Sequence, residues 1–525
     1  MRIRNFISSI SVASRLVGYY RYHPTRLLLP TSSSTACGVN QLRMTSSARY
    51  EEAVRLLNGL QSNAATIKKL RVQRENLQAL NVPQCKKYLE SLNIYENDLN
   101  SLNIIHVSGT KGKGSTCAYA EAVLRSQGLK TGLYTSPHLV HVRERIRIDG
   151  DPVDEKTFAE EFFHVYDIIK REHSDNMPAY FKFLTLLAFR IFIKLNVQVV
   201  ILEVGIGGEY DCTNVVEQPK VCGVTTLDYD HISILGSKLS EIAWHKAGIF
   251  KEGVPAIYSP TTEEAEEVLL SRASSKTTPL FEAPPISAYQ FAHPISPGIS
   301  GIHQFSNISL ALQLVRTWAD RCQFPLPDVS GNIGKGFHVP SWMCDAIESC
   351  RWPGRSQVVS EGNATWLLDG AHTPKSMEAC SEWAAEEIEH LKKNDVKKIL
   401  LFQCTADRCP STLIQYLKPL GISQIVSCPT QLYSSLDKSA DSTNLNASRD
   451  EQLEKANQCV KSWRDSMENN VVEDQMKVFD CISGAFEFIE CEAASQEVLV
   501  LVTGSLHLVG GVLNLISNKR HQKLV

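Results

Sequence analysis

The chain has no apolar stretch long enough to cross a bilayer, so none of its 525 residues is expected to form an integral span. It has no Cys-x-x-Cys pair and no zinc-like histidine spacing among its 15 cysteines, which are scattered from Cys37 to Cys491. Zinc is therefore disfavoured, and reduced thiols in a cytosolic or matrix setting are the expectation. There is no excess charge of either sign. With 54 Lys plus Arg against 57 Asp plus Glu the formal net charge is -3, so no strong basic field attracts a polyanion and no nucleic-acid partner is expected. No internal repeat and no Ser-His-Asp set is visible. The first fifty residues lack Asp, Glu and Lys altogether, yet carry several arginines and many serines. That bias fits a mitochondrial-type leader over residues 1–43, with a merely disordered tail as the competing reading. Met44 stands where the bias ends, so initiation there predicts a cytoplasmic form beside the mitochondrial one, the latter in the matrix with room for inner-membrane association.

What is present is a chain with 43% hydrophobic residues, enough for sizeable cores. From Asn103 an apolar run feeds a Gly-rich, Lys-bearing turn, H-V-S-G-T-K-G-K-G-S. Glycines let successive backbone N–H groups face phosphate oxygens, a following helix adds its positive end, and Lys113 can reach a β- or γ-phosphate. The turn is two residues shorter than the usual Walker pattern, and Gly114 stands where a Ser or Thr normally holds magnesium. The metal hydroxyl must then come from elsewhere, and taken alone the turn also fits an ordinary strand-to-helix connection.

Two further apolar runs read as buried parallel strands. Lys130–Thr135 leads into Ser136-Pro137-His138, and Val197–Val204 carries a lone carboxylate, Glu203, before Gly205-Ile206-Gly207-Gly208. A buried carboxylate needs a partner, and a cation is the economical one. In an open α/β sheet ligands gather beyond the carboxyl ends of strands, where Lys113, Ser136 and Glu203 would meet. Magnesium suits a hydroxyl, a carboxylate and phosphate oxygens. Val221–Leu227 leads into Asp228-Tyr229-Asp230-His231, and a helical pattern from Glu241 to Gly248 carries Lys246. A solvated loop histidine and a solvated helix lysine are the competing readings of those two. Residues 136–147 carry His138, His141, Arg143, Arg145 and Arg147, a cluster that fits an anionic substrate or simply a hydrated face.

The ordered set H-V-S-G-T-K-G-K-G-S-T, T-S-P-H-L-V-H-V-R-E-R-I, E-V-G-I-G-G-E-Y-D-C-T-N, D-H-I-S-I-L-G and I-A-W-H-K-A-G-I-F-K resembles the folylpolyglutamate synthases of the Mur ligase superfamily, in their eukaryotic form. The likeness continues through G-I-H-Q-F-S-N, W-P-G-R, L-D-G-A-H-T and V-T-G-S-L-H-L-V-G-G, and so spans most of the chain.

The resemblance implies an ATP-dependent ligase that adds L-glutamate to the γ-carboxyl of the glutamyl tail of a reduced folate, through an acyl phosphate. It implies ATP and Mg²⁺ as cofactors, with a place for a monovalent cation such as K⁺. Tetrahydrofolate and its polyglutamates, L-glutamate and ATP would be its small-molecule partners, and a monomer is expected. By the same resemblance Gly109, Thr110, Lys111, Gly112, Lys113, Gly114 and Ser115 form the phosphate loop. Ser136 and Glu203 hold a first magnesium and His231 a second. Asn307, Arg355, Asp369 and His372 contact the nucleotide. Lys113, His231 and Lys246 form the catalytic group, with Lys246 either carbamylated or bonding a phosphate unmodified. A relative that also joins glutamate to dihydropteroate, a ligase for another carboxylate, and a nucleotide-binding regulator without ligase activity remain open.

The alternation of strand and helix patterns predicts an α/β fold. A P-loop-type, mainly parallel-sheet ATPase domain over 45–340 is followed by a smaller Rossmann-like domain over 345–525. Ala364–Leu368, Lys398–Gln403, Gln424–Ser427 and Glu497–Val502 are its expected strands. The polar stretch 434–470 reads as an insertion or surface loop. The Thr503-Gly504-Ser505 turn is read either as a structural turn or as a seat for glutamate.

Overall fold

The computed structural model describes residues 45–61, 79–393, 395–405, 408–435, 441, 447–467 and 473–522. The chain from Met44 onward forms one compact unit, and the leader read in 1–43 lies outside the described residues. No described helix is long and apolar enough to cross a membrane.

Among the described residues eight strands make the first sheet: β1 (Ile105–Ser108), β2 (Thr131–Tyr134), β3 (Ile146–Ile148), β4 (Asp151–Pro152), β5 (Val199–Glu203), β6 (Val221–Val224), β7 (Ala256–Tyr258) and β8 (Leu280–Glu282). Their order is β4-β3-β2-β5-β1-β6-β7-β8. All pairs from β2 to β8 are parallel, for example Ile105 opposite both Ile201 and Val221, whereas β3 and β4 add an antiparallel edge. Helices cover both faces, so β1, β2, β5 and β6 are buried along their whole length and read as continuous apolar runs. The helix Lys113–Ser126 is buried from Ser115 to Leu124, because it lies between this sheet and the helix Gln304–Cys322. From β1 the chain crosses to β2 on one side, and from β5 to β6 on the other. The carboxyl end of β1 is therefore a topological switch point, with a crevice between diverging connections.

Two short strands, β9 (Gln290–Phe291) and β10 (His338–Val339), pair with each other. The second sheet contains β11 (Gln357–Glu361), β12 (Ala364–Leu368), β13 (Lys397–Phe402), β14 (Gln424–Ser427), β15 (Met476–Val478) and β16 (Val498–Thr503), in the order β11-β12-β16-β13-β14-β15. It is mixed, since β11 runs antiparallel to β12 while the other pairs are parallel.

The loop expected over 434–470 needs a correction: Arg449–Ser466 is an 18-residue helix joining β14 to β15. Ser448 caps it and shares a capping box with Glu451. Gln452, Ala456, Cys459, Val460 and Trp463 form its buried stripe. Polar residues dominate the remaining faces, which hides a narrow stripe from a reading of mean polarity.

Candidate active site

At the end of β1 the backbone turns through Gly109 at φ 137° and Gly112 at φ 87°. A Cβ at Gly109 would lie 1.8 Å from Thr225 Oγ1, and one at Gly112 would lie 2.1 Å from Asn307 Oδ1. Both conformation and space therefore demand glycine. The Thr110 and Lys111 amides donate to the Thr226 carbonyl, each at 3.1 Å, and Thr110 Oγ1 donates to the Asp228 carbonyl. These bonds fix the loop against β6. Gly112 opens the helix Lys113–Ser126 without a side-chain cap, leaving its first amides to face an anion. Lys113 Nζ folds back over the loop, 3.4 Å from the Thr110 carbonyl.

Lys246 lies beneath this loop, not in solvent. It is buried, donates from Nζ to the Gly109 carbonyl at 2.7 Å, and accepts at its own carbonyl from Ser108 Oγ at 2.9 Å. Burial, and then the nearby Lys113, push its ammonium well below the usual lysine range.

Glu203 and Ser136 come together as the sequence reading expected. The Ser136 amide donates to Glu203 Oε2 at 3.0 Å. Burial raises the Glu203 carboxyl, opposed by Lys113, by the Ser136 amide and by Arg355. A buried carboxylate that feels a lysine and an arginine, with a serine in the same turn, is a donor set that fits magnesium and phosphate together. His231 is placed differently. It takes a left-handed conformation, φ 50°, its side chain is exposed, and its amide donates to Asp230 Oδ1.

Asp230 is a hub that sequence reasoning passed over, although the D-Y-D-H motif contained it. Its Oδ2 is 2.9 Å from Lys111 Nζ and 3.4 Å from His372 Nε2, and its Oδ1 is 3.4 Å from Arg408 Nη2. Burial alone would raise the carboxyl, but the cationic groups around it, Lys111 among them, hold it far below the ordinary range. His372 and Arg408 come from the second sheet, so this cluster ties the two sheets together. His372 Nδ1 donates to the Gly370 carbonyl at 2.7 Å, which leaves Nε2 to accept from Lys111 at 3.2 Å. Burial and the Lys111 charge depress the ring to about 4, so it is neutral at pH 7.

Asp369 follows β12 and accepts from the Ser356 amide at 2.8 Å and from the Ala371 amide at 2.9 Å. It thereby shapes the turn that presents Arg355. Burial lowers Arg355, while Asp369 and Glu203 draw it up, so a second-sheet guanidinium feels the Glu203 carboxylate. Asn307 accepts from Thr116 Oγ1 at 3.5 Å, donates to Gln304 Oε1 at 2.9 Å, and lies against Gly112. Asp211, also passed over, accepts from the Ile206 amide at 3.1 Å and from Thr213 Oγ1 at 2.7 Å, which shapes the loop after Glu203. The E-Y-D-C-T-N motif held that signal.

Residues 355–515 match a family model described as dihydrofolate synthetase, C-terminal domain. The chain is 80% identical over 497 residues to a putative folylpolyglutamate synthase of Caenorhabditis elegans, covering 93% of this chain and 98% of that one. It is 37% identical over 550 residues to the mitochondrial folylpolyglutamate synthase of Homo sapiens, covering 90% and 92% respectively. A solved structure of Mycobacterium tuberculosis folylpolyglutamate synthase complexed with ADP superposes with a TM-score of 0.69 at 20% identity, over 90% of this chain and 99% of that one. That likeness carries the fold. The identity and coverage of the two relatives establish that this chain belongs to the folylpolyglutamate synthase family.

Proposed function

We propose that the chain catalyses ATP-dependent addition of L-glutamate to the γ-carboxyl of the glutamyl tail of reduced folates, giving ADP and phosphate. The observation that carries this reading is the convergence at the carboxyl ends of β1, β2 and β5. The phosphate loop, Lys113, Ser136 and Glu203 come together there, with Arg355 of the second sheet within electrostatic reach of Glu203.

A carboxylate is a poor acyl donor. Transfer of the γ-phosphoryl group to it makes an acyl phosphate, and the glutamate amine then attacks the acyl carbon. The C–N bond forms, the C–O bond to phosphate breaks, and phosphate leaves with the electron pair while the amine loses a proton. Such transfer depends chiefly on positioning and charge neutralisation, which suits amides and cations better than a protein nucleophile. In this reading the amides of Gly112 to Ser115 and the Lys113 ammonium hold the β- and γ-phosphates. Arg355 neutralises charge from the second sheet, and Asn307, Asp369 and His372 complete the nucleotide contacts. Ser136 and Glu203 would hold Mg²⁺, which when bound neutralises phosphate oxygens, and His231 is assigned to a second ion. The Lys246 amine, bonded to Gly109, sets the height of the loop, and its depressed basicity also suits it to carbamylation.

The test is one incubation of the chain from Met44 with MgATP, tetrahydrofolate and L-glutamate, following ADP release and product mass. A folate heavier by one glutamyl unit, with ADP formed only when acceptor and glutamate are both present, is expected. ADP without a heavier folate would redirect the reading to another acceptor. Because the family model over 355–515 is named for dihydrofolate synthetase, dihydropteroate is the second acceptor to assay.

A further inference from the structure

The mechanism above leaves unused an aliphatic side chain that crosses from one sheet to the other. Leu139 follows the Ser136 turn on the first sheet's basic loop, yet it packs against the core cluster of the second sheet that includes Val502, Leu508 and Val509. Its seat is cut from glycine. A Cβ at Gly510, in the helix Leu506–Gln522, would lie 2.0 Å from the Leu139 carbonyl oxygen, and one at Gly354 would lie 2.9 Å from Leu139 Cδ1. Gly354 also holds φ at 72°, so conformation and space both ask for glycine there. Aliphatic contact is short-ranged, and a gap of about 0.5 to 1 Å already forfeits a quarter to a half of it. A side chain enclosed in this way by backbone therefore sets a distance.

Both ends of that distance lead into the site. On the first sheet, the Glu144 carboxylate accepts from the Leu139, Val140 and His141 amides at 2.9, 3.1 and 2.8 Å. These three bonds stiffen the loop, and the Ser136 amide ties its start to Glu203. On the second sheet, the Gly354 carbonyl accepts from the Gly370 amide and from Arg355 Nη1, each at 3.2 Å. The residue that walls the seat thus also holds the guanidinium. The same W-P-G-R turn meets the phosphate helix, where a Cβ at Gly114 would lie 3.1 Å from Trp352 Nε1. Thr135, Leu139 and Arg355 line one cleft between the sheets.

We propose that Leu139 is a positioning residue for the ligase reaction: seated between Gly354 and Gly510, it sets the spacing between the Ser136 turn of the first sheet and Arg355 of the second. This rests on the reading above, in which Ser136 and Glu203 hold Mg²⁺ and Arg355 contacts the nucleotide. Phosphoryl transfer needs both charges aimed at the same group, and a misplacement of about 1 Å in such an alignment costs about a hundredfold in rate. The Leu139 side chain offers no polar atom to a substrate. Its effect therefore falls on turnover and on the metal, not on the KM for folate or glutamate.

The test compares the full chain with Leu139→Ala, Leu139→Met and Gly510→Ala. Three quantities are read: Mn²⁺ affinity in the presence of ADP by electron paramagnetic resonance, kcat and KM in the ligase assay, and thermal unfolding. Leu139→Ala should weaken Mn²⁺ by about tenfold, the scale of a lost supporting contact at a metal site, and lower kcat by about ten- to a hundredfold, with KM for tetrahydrofolate and L-glutamate unchanged. Leu139→Met keeps the volume and should recover both. Gly510→Ala suits a helix better than glycine, but its methyl displaces the Leu139 carbonyl, so it should lower kcat in the same way. Wild-type Mn²⁺ affinity and kcat in Leu139→Ala, with only the unfolding temperature reduced, would show that Leu139 is a core residue alone and overturn the proposal. Ser136→Ala separates this from the metal assignment: unchanged Mn²⁺ affinity there would remove that assignment, and the kcat of Leu139→Ala against Leu139→Met then decides alone. Absent product in the wild-type chain would instead sink the ligase reading, and the Mn²⁺ affinities then decide.

Discussion

Asp230 shows how one residue can organise cations from both sheets. Its side chain is 11% exposed and stands between Lys111, His372 and Arg408. Taking the carboxylate's charge away leaves Lys111 and Arg408 close together with no counter-ion, and breaking a buried pair in that way costs about 3 kcal/mol or more. Asp230→Asn should therefore lower stability in denaturant by about that amount, and Lys111→Met by a similar one. The double variant should lose less than the sum, with a coupling of about 1 to 3 kcal/mol, because the two changes remove one interaction. Strict additivity in that cycle would show that the pair contributes nothing and that the hub is only geometric. Lys246 makes the complementary point, since a lysine that also reads as a solvated helix position is in fact buried under the glycine-rich turn after β1. The amphipathic pattern around it could not reveal that its target is a carbonyl, because backbone acceptors leave no trace in sequence.

Among the elements, legibility followed burial and length. Ala364–Leu368 and Gln424–Ser427 were readable with their observed ends, and Lys397–Phe402 and Val498–Thr503 to within one residue, because continuous apolar runs mark strands covered on both faces. The short strands β3, β4, β11 and β15, at or next to the sheet edges, were not legible. They are two to five residues long and none is fully buried, so neither a run nor a clean alternation survives. The glycine turn after β1 and the meeting of Ser136 with Glu203 were legible because glycines and a lone charge at strand ends carry physical meaning without an alignment, whereas Arg355 entered only through the family resemblance. Asp211 and Arg408 escaped, because their roles depend on backbone amides or on a partner 178 residues away. The helix Arg449–Ser466 was missed for its polarity, and its anchoring is testable. Trp463 is 2% exposed within the core over the second sheet. Trp463→Ala should cost about 3 to 5 kcal/mol, read as a lower denaturant midpoint, while Lys461→Ala on the exposed face of the same helix should move it little. Equal small effects would mean that the helix is not part of that core.

For the molecule as a whole, the buried histidines set how stability responds to acid. His106 is fully buried with Nε2 at 2.9 Å from Thr213 Oγ1, while its Nδ1 has no partner among the described residues. Burial, with Lys251 adding to it, holds this ring at about 3. His372 is held at about 4 by burial, Lys111 and Arg408, and His507 at about 4 by burial and Arg145. In each case the folded value lies below the unfolded one of about 6.5. Between the two values the unfolded chain binds a proton that the native chain does not, so stability rises with pH through this window and falls as pH drops. From pH 7 to pH 5.5 the loss is about 1 kcal/mol for each such histidine. The raised carboxyls of Glu203 and Asp211 act in the opposite sense, so the loss read across this window is that of the imidazoles net of theirs. Denaturant unfolding at pH 7.0, 6.2 and 5.5 should show a progressive loss, and His507→Gln should remove the share of about 1 kcal/mol that this one ring contributes. A flat profile over that range would mean that these rings reach solvent and take up protons without unfolding, which would contradict the dry packing that keeps His372 a neutral acceptor for Lys111.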